Sequence, residues 1–181
     1  MTTAAVTTKW AIDPTHSEVS FKIKHLVIST VTGYFREFEG SISTEGDDWA
    51  NAEAEFKAKV DSVDTNQAQR DTHLKSDDFF NAEQFPYLSF KSTQVTKVDE
   101  EHYKMLGDLT IRDVTKPMEL DVQFLGEAVD PYGQHKAGFE ITGVINRKEF
   151  NLRWDAVTEA GAVVVSNDVR LSLNVQVVKQ A

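Results

Sequence analysis

The chain of 181 residues contains no cysteine. Disulfides, thiolate nucleophiles and Cys-based metal sites are therefore excluded. Positive charge is scarce: 19 Lys and Arg stand against 29 Asp and Glu, a formal net charge of -10. No basic run overrides that average, which argues against nucleic acid and anionic membrane surfaces as partners, because both need basic patches. No apolar run approaches the length of a membrane span, so stable membrane insertion is not expected. The first nine residues lack a basic region followed by an apolar one and do not read as a secretory signal. The expected location is cytoplasmic, or periplasmic if the N-terminus has been trimmed. There is no internal repeat and no low-complexity linker. The length suits a single domain over 9–181, preceded by a flexible segment over 1–8.

What is present is alternation. From Ala50 to Val60 (ANAEAEFKAKV) small or apolar residues alternate with polar ones. Successive side chains of a strand take opposite faces, so Ala50, Ala52, Ala54, Phe56, Ala58 and Val60 face inward. Four of these are alanines, where a packed core normally places larger residues. Either bulky neighbours cover this face, or it borders a space. The same period runs through Val19 to His25, Phe38 to Ile42, Leu88 to Phe90, Tyr103 to Ile111, Met118 to Phe124, Ala137 to Ile145 and Val169 to Val177. A turn is expected near Gly33. About eight strands with one apolar face each suit a sandwich or a closed antiparallel barrel, and closure also removes exposed edges. An eight-stranded barrel can just hold one small ligand.

Two segments break the pattern. Residues 66–86 (NQAQRDTHLKSDDFFNAEQFP) read as one or two short helices, and 147–155 (RKEFNLRWD) is irregular around Phe150, Leu152 and Trp154. Such inserts suit the capping of a barrel end. With several other stretches they carry a recognisable pattern: Trp10-Ala-Ile-Asp-Pro-Thr-His16-Ser17, Phe21-Lys-Ile-Lys-His25-Leu26, Gly33-Tyr-Phe35, Arg70-Asp71-Thr-His73-Leu74-Lys-Ser-Asp-Asp78-Phe79-Phe80, Phe85-Pro86, Gly107-Asp-Leu109-Thr-Ile111, Asp130-Pro131-Tyr-Gly133 and Asn146-Arg147-Lys-Glu-Phe150. In order and spacing these resemble the YceI-like family of lipid- and polyisoprenoid-binding proteins from about Trp10 to Val178. The resemblance implies an all-β fold: an extended, lipocalin-like, eight-stranded antiparallel barrel whose apolar interior holds an isoprenoid or other long-chain tail. It also implies a homodimer. Asn151 departs from the glycine usual after Arg-x-x-Phe, but Asn tolerates a left-handed backbone better than other non-glycine residues.

Candidate residues follow from phase. Phe21, Ile23, Ala52, Ala54, Phe56, Ala58, Phe90, Leu109, Phe139, Ile141 and Trp154 are the expected cavity lining, with Gly107 and Gly143 adding room. At a mouth, His25, Arg70, His73 and Arg147 are head-group candidates. Each has a bland alternative: a satisfied core histidine for His25, a helix-holding ion pair for Arg70 and Asp71, an ion pair across the barrel for Arg147. His16, His25, His73, His102 and His135 show no metal-ligand spacing, so no metal and no cofactor is expected. The favoured function is binding, and sequestration or transport, of a polyisoprenoid, isoprenoid quinone or similar amphiphile. The alternative is an enzyme acting on an amphiphilic ester or phosphoanhydride, with His73 as base and Asp71 as its orienter. It lacks a nucleophile motif, and no catalytic residue is assigned. A filled barrel acting through its surface is a third reading.

Overall fold

A computed structural model describes residues 6–156 and 164–181. Its strands are β1 (Thr7–Ile12), β2 (Glu18–His25), β3 (Ser29–Phe35), β4 (Phe38–Glu45), β5 (Asp48–Lys59), β6 (Val63–Asp64), β7 (Tyr87–Lys97), β8 (His102–Ile111), β9 (Val114–Val129), β10 (His135–Asn146) and β11 (Val165–Lys179). One helix, α1 (Ala68–Lys75), lies between β6 and β7. Thr7 and Thr8 pair with Glu45 and Thr44, so ordered structure begins inside the segment expected to be flexible. Residues 1–5 of that segment lie outside the described residues.

The 11 strands make eight staves. β1 and β2 run in succession along β11, separated by a 3₁₀ turn over Pro14–His16, where a ring without an N–H ends the ladder. β3 and β4 likewise form one stave, as do β5 and β6. The ring β1-β4-β5-β7-β8-β9-β10-β11 closes through the pairing of Trp10 with Lys179 and its neighbours. All pairings are antiparallel. This is the expected eight-stranded barrel.

Gly33 is not at a turn. It sits within β3 opposite Phe21, and the turn falls instead at Leu26 to Ile28. Strand β5 also departs from strict alternation. Ser43 faces Glu53 but Glu45 faces Asp48, so a bulge intervenes, with Asn51 at φ 63°. The bulge shifts the phase and turns Trp49 into the core, where alternation would have sent it to water.

Trp49 then anchors one end of the barrel. Its ring lies 5.0 Å from that of Trp10, 4.9 Å edge-on from Phe139 and 5.9 Å from Phe124. Each such pair contributes about 0.5–1.5 kcal/mol beyond area burial. The opposite end, where β2 finishes and β11 begins, is covered by α1, Phe79, Phe80 and the segment 147–154.

Candidate ligand-binding cavity

Between these ends lies a cavity of about 410 Å³. Its wall is formed by the inward set of nearly every stave. Phe21, Ile23, Ala52, Ala54, Phe56, Phe90, Leu109, Phe139, Ile141 and Trp154 all border it. Ala54, Phe56, Phe21 and Ile141 are only partly buried although they point inward, because the surface they expose is the cavity's own.

Ala58 does not line it. It pairs with Phe38 on one side and Leu88 on the other and is 0% exposed, so larger neighbours fill the room it leaves. The two glycines expected to add room are likewise occupied. A methyl group at Gly107 would meet the Phe90 ring and lie 2.6 Å from the Lys91 carbonyl, and one at Gly143 would lie 2.6 Å from Leu120 Cδ2. Of the five small residues, only Ala52 and Ala54 leave open space.

The polar candidates gather at the capped end. His25 closes β2 opposite Val165 and borders the cavity; among the described residues its ring makes no hydrogen bond. Arg70 and Asp71 sit on α1, which begins where the Gln67 side chain accepts from the Arg70 N–H. Both grip Thr65. Asp71 Oδ1 accepts from the Thr65 N–H (2.8 Å) and hydroxyl (2.5 Å). Arg70 Nε donates to the Thr65 hydroxyl (2.7 Å) and Nη2 to its carbonyl (2.6 Å). Arg70 also borders the cavity, with Nη1 making no hydrogen bond among the described residues.

His73 faces a different carboxylate from the expected one. Its Nε2 lies 2.8 Å from Asp78 Oδ2, and its ring stands edge-on to Phe79 and Trp154 at 5.1 and 5.0 Å. Positions two apart on a helix do not share a face, so Asp71 cannot orient His73. The Asp71–His73 pair required by the enzyme alternative is therefore not formed.

Arg147 borders the cavity but, among the described residues, forms no ion pair across the barrel. It is 2% exposed and bonded to four backbone carbonyls. Nε donates to Ser166 (2.8 Å), Nη1 to Leu152 and Trp154 (both 2.7 Å), and Nη2 to Val165 (3.3 Å). Among the described residues its nearest carboxylate is Asp155, 3.9 Å away on the same segment rather than across the barrel. Burial holds its pKa below the usual guanidinium range, opposed by the Asp155 charge. Arg147 staples the 152–154 segment to the start of β11.

A second arginine does the same work on the other side of the cap. Arg112, in the β8–β9 turn, donates through Nη1 to the carbonyls of Asp77 and Phe79 and through Nη2 to Asp77 Oδ1, each at 2.8 Å. Sequence reasoning missed both Arg112 and Trp49. The first has no periodic signal, and the second is hidden by the bulge.

A domain model described as YceI-like matches residues 10–177. The chain belongs to the YceI-like family. YceI of Escherichia coli O157:H7 is 37% identical over 179 residues, which cover 98% of this chain and 90% of its own length. The crystal structure of a Campylobacter jejuni YceI protein is 32% identical and superposes with a TM-score of 0.76, covering both chains in full. A polyisoprenoid-binding domain from Saccharophagus degradans shares the fold at a TM-score of 0.69 and 18% identity, over 94% of this chain and 98% of its own. As a YceI-like protein, then, the chain combines the family barrel with an apolar cavity and a cap held by two arginines.

Proposed function

We propose that this YceI-like protein binds one long-chain amphiphile, of isoprenoid or acyl type, with its tail in the barrel and its head at the capped end. The observation that carries this reading is the cavity itself: about 410 Å³ of almost wholly apolar space, with His25, Arg70 and His73 bordering its capped end. Each methylene moved from water into such a space contributes about 0.8 kcal/mol, so affinity needs few polar contacts. The head-group contacts are His25 and Arg70 Nη1, with His73 at the rim. Arg147 is assigned to holding the cap. Family membership and the shared fold of a polyisoprenoid-binding domain support the same reading. The role in this reading is sequestration or transport; the commitment of Asp71 to Thr65 removes the Asp71–His73 pair on which the enzyme alternative rests.

Native mass spectrometry of the purified protein, followed by solvent extraction, tests this. A stoichiometric long-chain isoprenoid, quinone or acyl compound is expected. A ligand-free mass that persists after incubation with prenyl phosphates, quinones and fatty acids would refute it.

A further inference from the structure

The cavity has a floor. Trp49 and Phe139 border it, whereas Trp10 and Phe124, the rings packed behind them, do not. Nor does the space spread sideways at Gly107 or Gly143, where Phe90 and Leu120 already lie. The volume is therefore a capacity bounded at the Trp49–Phe139 end.

That capacity converts into carbon atoms. A dry apolar protein cavity of about 150 Å³ takes up benzene, or about 25 Å³ for each carbon. On that scale about 410 Å³ accommodates about 16 carbons. Three isoprene units or one palmitoyl-length chain fill it. A polyprenyl chain of about 40 carbons would need about 1000 Å³ on the same scale and leaves more than half its length outside.

We infer that the barrel gauges chain length: it takes a single apolar chain of about 16 carbons, and the Trp49–Phe139 floor sets the stop. This rests on the amphiphile-binding reading above and adds a specificity to it. Trp49 is the specificity-determining residue, because the bulge at Asn51 alone turns it inward. Ala54, which borders the cavity from β5 opposite Ile42, sets its bore.

The test is affinity against chain length, measured by calorimetry with the full-length protein and two probe series below their micellar concentrations. One series is saturated fatty acids of 8 to 22 carbons; the other is prenyl monophosphates of 10, 15 and 20 carbons. Kd is expected to fall about fourfold per added methylene until about 16 carbons and then to level off. The prenyl series is expected to gain strongly from 10 to 15 carbons and little from 15 to 20. Trp49→Ala, which removes nine ring atoms, moves the break toward about 25 carbons on the same scale, beyond the fatty acids tested. Ala54→Phe moves it below about 12 carbons and stands as the independent variant if Trp49→Ala does not fold. An affinity that keeps climbing through 22 carbons in the unaltered protein overturns the gauge while leaving the binding reading intact. A break that stays put in both variants also overturns it. No binding by any member of either series overturns the binding reading itself.

Discussion

Replacing Arg147 separates a structural staple from a ligand contact. In Arg147→Ala, the carbonyls of Leu152, Trp154, Val165 and Ser166 lose their donor together. The Leu152 bond is fully buried and the other three are partly so. An unsatisfied buried acceptor costs about 1–3 kcal/mol, and water recovers part of the loss at the three outer ones. With the lost packing of the side-chain stem, the total is about 3–5 kcal/mol. Urea unfolding followed by tryptophan fluorescence reads this directly. For a slope of about 2 kcal/mol/M the midpoint falls by about 1.5–2.5 M. Arg147→Lys keeps the charge but not the planar fork, reaches fewer carbonyls and is expected to lose about 2–3 kcal/mol. If Arg147 instead held a head group, Arg147→Lys would unfold like the unaltered protein and lose only ligand affinity. A stability loss under 1 kcal/mol in Arg147→Ala refutes the staple.

Two further outcomes follow from local geometry. Gly33→Ala places a methyl group less than 3 Å from three atoms of the Phe21 ring. The ring is then pushed into the cavity it borders, at a cost of about 1–3 kcal/mol, and long-chain probes bind more weakly; unchanged unfolding and binding would show that the ring has room elsewhere. The second concerns acid. The Thr15 hydroxyl, then His16, hold the Asp13 carboxyl down at about 2 from its usual 3.8. Because the folded value is the lower one, this stabilisation is complete above about pH 4 and is lost as pH falls toward 2. With Asp13 partly exposed, about 1–2 kcal/mol is at stake. Asp13→Asn should therefore flatten the stability profile between pH 4 and 2, and an unchanged slope there would place the acid sensitivity elsewhere.

How much of this the sequence discloses depends on which physical signal each feature leaves. Period-two alternation located most staves and the inward phase of His25, because burial on one face imposes it directly. It failed where the backbone inserts a residue. At Asn51 the bulge brought Trp49 inside, and at Ser92–Gln94 a second bulge made β7 look shorter than it is. Small side chains were legible but their consequences were not. Ala58 and Gly107 are as small as Ala54, yet only the pairing of Ala58 with Leu88 and the reach of the Phe90 ring over Gly107 show that the space beside them is filled. The turn at Asn151 came out as expected, with φ 63° and its N–H bonded back to the Arg147 and Lys148 carbonyls. Arg147 and Asp71 bind backbone or hydroxyl partners rather than charged ones, and no pattern of charges along a chain announces a carbonyl.

The broken staves leave the barrel wall uneven. β6 is two residues long and, among the described residues, pairs only with β3. Toward β7, the ladder from β5 ends at Lys59 and Tyr87, followed by one bond from the Val60 N–H to the Pro86 carbonyl. Beyond that point the wall is made by α1, none of whose residues is buried, and by rings such as Phe80 resting 5.8 Å from Phe35. Parting the wall there breaks side-chain contacts but no strand ladder, whereas parting it between β8 and β11 breaks long runs of backbone bonds. Local opening is therefore far cheaper on one side of the molecule than on the other. Amide exchange should divide the chain accordingly into a slow sheet and a fast seam.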